Sequence, residues 1–341
     1  MVTAFCGKGE PLKVLLYSGL LRFVNKSGVG EAVLHQKKSL EQLKVSCTTD
    51  LREDFDIIHL NTVFPDSLIV GRWAKWKKKK VVYYAHSTME DFRDSFRGSN
   101  RLAPIFKRWI KHCYNSGDLI ITPTDYSKTL LEGYGLKRPI FSLSNGVDIE
   151  FFSPDQDART RFRKQYGLQK EEKVILSVGH YIERKGILDF VALAEEMPQY
   201  QFYWFGYTNL KLVPTPVKQA VTKPLPNIHF PGYVDKNELR DAYCGSDLFL
   251  FLTHEETEGI VLLEALASKV PVLIRDIPIY SNWLRDGYHV YKGNSIAEFK
   301  EKIVEILEGK LPEITSNGYA LALERNLNSV GQRLMHIYKH L

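Results

Sequence analysis

The sequence predicts an α/β protein with two doubly wound parallel sheets, and three observations carry that expectation. Short apolar runs alternate with segments of helical periodicity from one end of the chain to the other. Those runs are continuous rather than alternating, the mark of strands covered on both faces. The length of 341 residues also suits two domains of ~150 residues each.

In the first half, residues 12–17, 57–61, 81–85 and 119–122 read as buried strands. Between them, residues 31–43, 66–77 and 100–116 carry apolar side chains at i, i+3 and i+4, one face of a helix. The second half continues with strands near 174–178, 202–205, 228–230, 248–252 and 270–274. Residues 212–226, with four prolines, read as a loop. The boundary falls after Asn145-Gly146-Val147-Asp148, where Pro154 and the charged run from Asp155 to Lys164 interrupt the apolar pattern. This gives domains of 1–150 and 151–325, followed by a helix in 326–341. Ligands of open parallel sheets sit at the carboxyl ends of the strands, so two facing sheets place the expected site in the cleft between them.

Composition narrows the classes. Hydrophobic residues make up 44% and charged residues 25% of the chain, which excludes a disordered or collagen-like polypeptide. The net charge of +6 is unevenly spread: residues 1–150 hold 23 Lys and Arg against 16 Asp and Glu, residues 151–341 hold 23 against 24. A basic surplus confined to one half points to a polyanionic partner: nucleic acid, an anionic membrane or phosphates. No apolar run approaches the ~20 residues of a spanning helix. The first residues lack the pattern of a secretion signal, so a cytoplasmic protein is expected, resting on a membrane but not crossing it. Cys6, Cys47, Cys113 and Cys244 form no closely spaced pair, which argues against a zinc site or a disulfide framework.

The most informative segment is residues 253–267, Thr-His-Glu-Glu-Thr-Glu-Gly-Ile-Val-Leu-Leu-Glu-Ala-Leu-Ala. A strand ends near Leu252, an acidic loop follows, and Gly259 opens an apolar helix. The N–H groups around Gly259 and Ile260 are then first-turn donors suited to a phosphate. Glu256 and Glu264 stand eight apart, where carboxylates accept hydrogen bonds from sugar or ribose hydroxyls. An acidic first turn with a solvated Glu264 explains the same residues without a ligand. The residues alone leave the two readings open.

Glu256 and Glu264 also form an E-x7-E pair, and with it the segment resembles retaining glycosyltransferases of the GT-B type, family 4. Asn145-Gly146-Val147-Asp148 resembles that family's N-G-V-D turn. Residues 178–186, Val-Gly-His-Tyr-Ile-Glu-Arg-Lys-Gly, resemble its V-G-R…R-K-G segment, and residues 227–234 the segment lining the nucleotide base. The resemblance implies two Rossmann-like domains facing a central cleft, a UDP-hexose donor, and a C-terminal helix that crosses back to the first domain. It implies that Glu264 binds the ribose and Glu256 the transferred hexose. Asn145, Tyr233, Val234, Gly259 and Ile260 are implied as further sugar-donor contacts.

Lys185, before Gly186 at a strand-to-helix junction, offers an ammonium to the diphosphate; Arg184 either joins it or forms a surface pair. His180 stands where relatives often carry Arg. A neutral imidazole is a weaker phosphate partner, so His180 is open between a phosphate contact and a packed core histidine.

In the first half, Gly28 and Gly30 open a helix after the first strand, and such glycines let backbone approach a ligand closely. The family places this loop near the phosphates. His86-Ser87-Thr88, at the end of a strand, matches the family's histidine near the reacting carbon, although a lone strand-end histidine is often structural. Two Asp-x-Asp triplets, Asp54-Phe55-Asp56 and Asp155-Gln156-Asp157, read as a polar lead-in to a strand and as linker. No catalytic metal or other cofactor is expected, because transferases of this type hold the diphosphate with helix N-termini and cations.

Residues 72–112 concentrate the basic charge, with twelve Lys and Arg against Glu90, Asp91 and Asp94. Tryptophans are interleaved with them: Trp73, Lys75, Trp76, Lys77, Lys78, Lys79 and Lys80, then Lys107, Arg108, Trp109 and Lys111. That mixture suits an anionic membrane interface, with core tryptophans beside a solvated helix end as the plain alternative. Phe92, Phe96 and Leu102 either line an acyl-chain opening or belong to the core. No recognition-helix, RNP or zinc-finger pattern supports a nucleic-acid partner.

The stretch from Tyr17 to Lys38 resembles the bacterial glycolipid branch of the family, whose members add a second hexose to glucosyl-diacylglycerol. The expected activity is therefore hexose transfer from UDP-glucose or UDP-galactose to a glycolipid acceptor at the cytoplasmic face of the membrane. A soluble family 4 transferase acting on a polysaccharide or small sugar is the alternative, and a non-enzymatic membrane or nucleic-acid binder the remote one.

Overall fold

A computed structural model of the chain describes residues 12–19, 28–96, 98–223 and 225–341. Residues 20–27 of the glycolipid-branch stretch, Arg97 of the basic segment, Cys6 and Pro224 lie outside those residues. The chain forms two compact units. The first holds residues up to Phe92, Arg101–Val147 and Arg325–Leu341; the second holds Arg93–Asn100 and Asp148–Glu324.

The first unit runs β1 (Lys13–Tyr17), α1 (Gly28–Gln42), β2 (Ser46–Thr48), β3 (Ile57–Leu60), α2 (Pro65–Trp76) and β4 (Lys80–Tyr84). It continues through α3 (Met89–Phe92), α4 (Ser99–Asn115), β5 (Leu119–Thr122), α5 (Asp125–Glu132) and β6 (Ile140–Ser142). The six strands are parallel in the order β2-β1-β3-β4-β5-β6. β3 and β5 are buried at every residue, as continuous apolar strands between helical layers must be. Asp56, before β3, accepts from the Lys13 N–H at 2.9 Å, and Asp54 pairs with Lys79 at 2.7 Å, so this triplet is a polar lead-in.

The second unit runs α6 (Gln156–Gln165), β7 (Val174–Val178), α7 (Ile187–Glu196), β8 (Gln201–Phe205), α8 (Thr215–Thr222), β9 (Ile228–Gly232), α9 (Lys236–Gly245) and β10 (Leu248–Phe251). Then come α10 (Ile260–Ala267), β11 (Val272–Arg275), β12 (Tyr291–Gly293), α11 (Ile296–Leu307) and α12 (Thr315–Glu324). Its six-stranded parallel sheet has the order β12-β11-β10-β7-β8-β9. The last helix, α13 (Leu327–Ile337), belongs to the first unit. Its Val330, Leu334 and Ile337 join Leu40 of α1 and Val14 and Leu16 of β1 in one core.

Three expectations need correction. The proline-rich stretch 212–226 contains α8, because Pro214 precedes the helix and Pro216 falls in its first turn, where a missing N–H costs nothing. The charged run after Pro154 is α6, which buries Ala158 and Phe162. Asp155 therefore caps a helix rather than sitting in a linker, its carboxylate accepting from the N–H groups of Asp157 and Ala158 at 2.8 and 3.2 Å. The strands β2, β6 and β12 escaped the apolar pattern because each is only three residues long.

Candidate functional site

In the second unit, two loops at the carboxyl ends of β7 and β10 are stitched together. After β7, residues Glu183–Lys185 form a 3-10 turn ended by Gly186. Gly186 has φ +79°, and a Cβ there would stand 2.2 Å from the Leu252 carbonyl oxygen. Only glycine lets this turn lie against the end of β10. The Arg184 carbonyl then accepts the His254 N–H at 2.7 Å and the Thr253 hydroxyl at 3.3 Å.

This stitching places Lys185 Nζ as donor to Glu256 Oε1, with Glu256 itself only 5% exposed. Gly259, at φ +90°, ends the acidic loop and caps α10. The first bonds of α10 run from the Leu262 and Leu263 N–H groups to the Gly259 carbonyl at 3.0 and 3.4 Å, so the Ile260 and Val261 N–H groups precede them and give the helix start a positive potential. Glu264, one turn further on, is 2% exposed, so the solvated alternative falls. Its Oε2 accepts the Tyr243 hydroxyl at 3.0 Å, and that hydroxyl lies 3.1 Å from the Val261 carbonyl. Burial, reinforced by Glu264, holds the Tyr243 phenol far above its ordinary pKa. Nothing in the sequence marks Tyr243, which sits with Ala242 on the buried face of the mostly polar α9.

Arg184 is buried rather than forming a surface pair. Its Nη1 donates to the Glu255 carbonyl at 2.6 Å and its Nε to Ser95 Oγ at 3.3 Å, so it braces the acidic loop. His180 is half-buried, with Nδ1 3.0 Å from the Tyr207 carbonyl, to which it donates. Burial holds its pKa below the ordinary value, aided by the charges of Lys185 and Arg184 and opposed by that hydrogen bond. A neutral His180 supplies no second cation. Tyr233 and Val234 follow β9, Tyr233 about half exposed.

In the first unit, His86 stands just past the carboxyl end of β4, 9% exposed, with Nε2 3.2 Å from Asn61 Oδ1. Asn61 closes β3 in the same way and was not singled out in the sequence; its signal is a polar residue at the carboxyl end of a buried strand. Gly28 begins α1 and is exposed, with open space around its Cβ position, and Gly30 lies in the same first turn. The Asn145 and Gly146 carbonyls lie 3.3 and 3.0 Å from His35 Nδ1.

The basic surface divides. Trp76 is 79% exposed, and Arg72, Lys77, Lys78, Lys80, Arg101 and Arg108 are exposed as well. Trp73 and Trp109 are only partly exposed. Trp73 packs on Phe55 at 6.0 Å between centroids, and Trp109 Nε1 donates to the Val63 carbonyl at 2.6 Å. Lys75 and Lys79 are drawn into ion pairs with Asp118 and Asp54 at 2.9 and 2.7 Å. Lys107 lies over the Tyr134 ring at 4.1 Å, while Lys111 is partly buried. Ile69, Leu102 and Ile105 add exposed apolar surface at 67, 48 and 62%. Phe92 stacks on Phe106 at 4.0 Å. Among the described residues no helix is long and apolar enough to cross a membrane.

Two parallel Rossmann-like units, one carrying a cation, paired carboxylates and an open helix N-terminus, define a GT-B glycosyltransferase. The chain belongs to the family 4 (group 1) glycosyltransferases and is a hexosyltransferase. The descriptions "Glycosyl transferases group 1" and "Glycosyltransferase Family 4" match residues 158–319 and 46–151. It is 39% identical to a processive diacylglycerol alpha-glucosyltransferase of Acholeplasma laidlawii, over 97% of this chain and 98% of that one. It is 28% identical to an alpha-galactosylglucosyldiacylglycerol synthase of Streptococcus pneumoniae, over 76% of this chain and 70% of that one. The fold resembles Anabaena HepE, solved with UDP and glucose, at a TM-score of 0.77 and 17% identity, over 97% of this chain and all (100%) of that one.

Proposed function

We propose that the enzyme moves a hexose from UDP-glucose or UDP-galactose, with retention, to glucosyl-diacylglycerol, giving a diglycosyl-diacylglycerol. The observation that carries this reading is the 39% identity, along nearly the whole chain, to a diacylglycerol glucosyltransferase. The galactosylglucosyldiacylglycerol synthase supports a glycolipid acceptor, and the HepE structure supports a UDP-sugar donor.

Lys185 and the first turn of α10 take the diphosphate, where a cation and a helix N-terminus act together. Glu256 accepts from hydroxyls of the hexose, and Glu264, steadied by Tyr243, from the ribose. The leaving diphosphate takes the acceptor proton on the face it vacates. The residues then act by positioning and charge stabilisation, without a metal. Unit one meets the anionic cytoplasmic leaflet peripherally, through Trp76, Lys77, Lys78, Lys80 and Arg108, with Ile69, Leu102 and Ile105 beside them.

The test incubates purified protein with each UDP-hexose and with diacylglycerol or glucosyl-diacylglycerol in anionic vesicles. A diglycosyl product supports the reading. Transfer only to a water-soluble sugar overturns it.

A further inference from the structure

We propose that Tyr338, His59, Gln36 and Asn61 form a hydrogen-bonded chain that positions His86, holding it as the Nε2–H tautomer with Nδ1 left to accept from a substrate hydroxyl. This rests on the reading of His86 as a residue that touches substrate.

The polarity of the chain follows from its end atoms. Asn61 Oδ1 lies 3.2 Å from His86 Nε2 and accepts from Gln36 Nε2 at 2.7 Å. A carboxamide oxygen can only accept, so His86 carries its proton on Nε2. Gln36 Oε1 lies 3.2 Å from His59 Nδ1, which therefore donates. His59 Nε2 is left bare and accepts the Tyr338 hydroxyl. Among the described residues no hydrogen-bond partner meets His86 Nδ1, and its ring stacks on Tyr84 at 5.8 Å and 21°.

This chain is not explained by packing. His59 sits in the middle of a strand buried at every residue, paired in register with Val82 and Leu16. His59, Asn61 and Gln36 are 0, 2 and 6% exposed. Burial holds His59 and His86 well below the ordinary histidine pKa, so both are neutral near pH 7 and the tautomer is meaningful. Asn61 Nδ2 is buried with no hydrogen-bond partner. A leucine would fill this space without that penalty. The far end of the chain is Tyr338, in the 3-10 turn Tyr338–His340 after α13, so the C-terminal segment reaches the sheet's interior through a hydroxyl.

The experiment has two parts. Long-range 1H–15N correlation on protein labelled with [15N]histidine reads tautomers without any substrate, and His86→Gln assigns the His86 signals. Wild type is expected to show His86 protonated on Nε2 and His59 on Nδ1. Protonation of His86 on Nδ1 overturns the proposal. Asn61→Leu is expected to lose the Nε2–H preference, while Asn61→Asp, which restores the acceptor, keeps it.

With UDP-glucose and glucosyl-diacylglycerol vesicles, Asn61→Leu is expected to lower kcat by up to about a hundredfold, with little change in the KM for UDP-glucose, as for a misaligned group. Tyr338→Phe, which leaves the core packing intact, is expected to lower kcat in the same direction by less. Wild-type kcat in His86→Ala overturns the reading of His86 itself. An inactive His86→Ala beside wild-type kcat in both Asn61→Leu and Tyr338→Phe overturns the chain alone.

Discussion

Lys185 and Glu256, 71 residues apart in sequence, meet as an ion pair with 17 and 7% of their side chains exposed. The cation proposed for phosphate and the carboxylate proposed for sugar thus satisfy each other until a sugar nucleotide separates them. Each protects the other from the cost of a nearly buried, unpaired charge.

Removing one partner should therefore do more harm to stability than removing both charges. Lys185→Ala is expected to lower stability by up to about 3 kcal/mol, the low end for breaking a buried pair. The double variant Lys185→Met/Glu256→Gln should recover most of that. Turnover should fall by about a hundredfold or more in both, since the charge stabilising the leaving group is gone. Thermal unfolding and initial rates on the same preparations check this; a double variant with normal turnover would reject the assignment of both residues.

Tyr243→Phe removes the 3.0 Å hydrogen bond that the phenol donates to the buried Glu264 carboxylate. The expected loss is about 1–3 kcal/mol of stability, with a raised KM for the UDP-sugar. Urea unfolding and a KM series read the two effects separately. An unchanged KM would detach Glu264 from ribose binding.

Gly186→Ala should be worse than Gly259→Ala. Both glycines have positive φ, which alone costs a side chain about 1–3 kcal/mol. At Gly186 the new Cβ would also meet backbone at 2.2 Å, whereas at Gly259 it would meet the Phe251 ring at 3.1 Å, and a ring can move. Calorimetry on the pair is expected to give the larger fall in Tm for Gly186→Ala.

Vesicle binding separates the exposed basic surface from its buried neighbours. Lys77→Ser/Lys78→Ser is expected to weaken binding to anionic vesicles by about 2 kcal/mol at low salt, at about 1 kcal/mol per cation. Trp76→Ser should weaken it further. Trp109→Phe should lower Tm and leave vesicle binding alone, because that indole is tied to the Val63 carbonyl. Sedimentation with vesicles at two salt concentrations decides, and equal effects of Trp76 and Trp109 on binding would count against the division.

Acid should destabilise the first unit early. Burial lowers His86 to a pKa of about 4 and His59 to about 3. The unfolded chain takes up their protons near the ordinary pKa of about 6.5, while the folded chain does not. The unfolded state thus binds more protons below that pH, and stability is lost as pH falls from about 6.5 toward 4, at up to about 1.4 kcal/mol per pH unit for each histidine. Denaturant midpoints from pH 7 to 5 should show this slope, reduced by about one proton in His59→Gln. A flat profile would mean that these histidines are not buried and neutral.

The architecture was legible because strands such as Ile57–Leu60 and Leu248–Phe251 are buried on both faces and write that fact as unbroken apolar runs. The loop around Glu256 and Gly259 was only half legible: its residues left a ligand site and a solvated acidic first turn both open, and it is the burial of Glu264 that removes the solvated reading. What stayed hidden depends on tertiary partners. Trp73 and Trp76 look alike in sequence, yet one packs on Phe55 and the other is exposed. Arg184 and Lys185 are adjacent cations with opposite fates, one bracing a carbonyl and one facing a carboxylate. Asn61 and Tyr338 stand far apart in the chain, and no local pattern joins them.

The membership of α13 in the first unit has a consequence for synthesis. Val330, Leu334 and Ile337 complete the core around β1, yet they leave the ribosome only after all of Asp148–Glu324. The second unit can therefore close on itself while the first still exposes a strip of α1 that nothing yet covers. The first unit is thus expected to finish folding only after α13 has been made, later than the second.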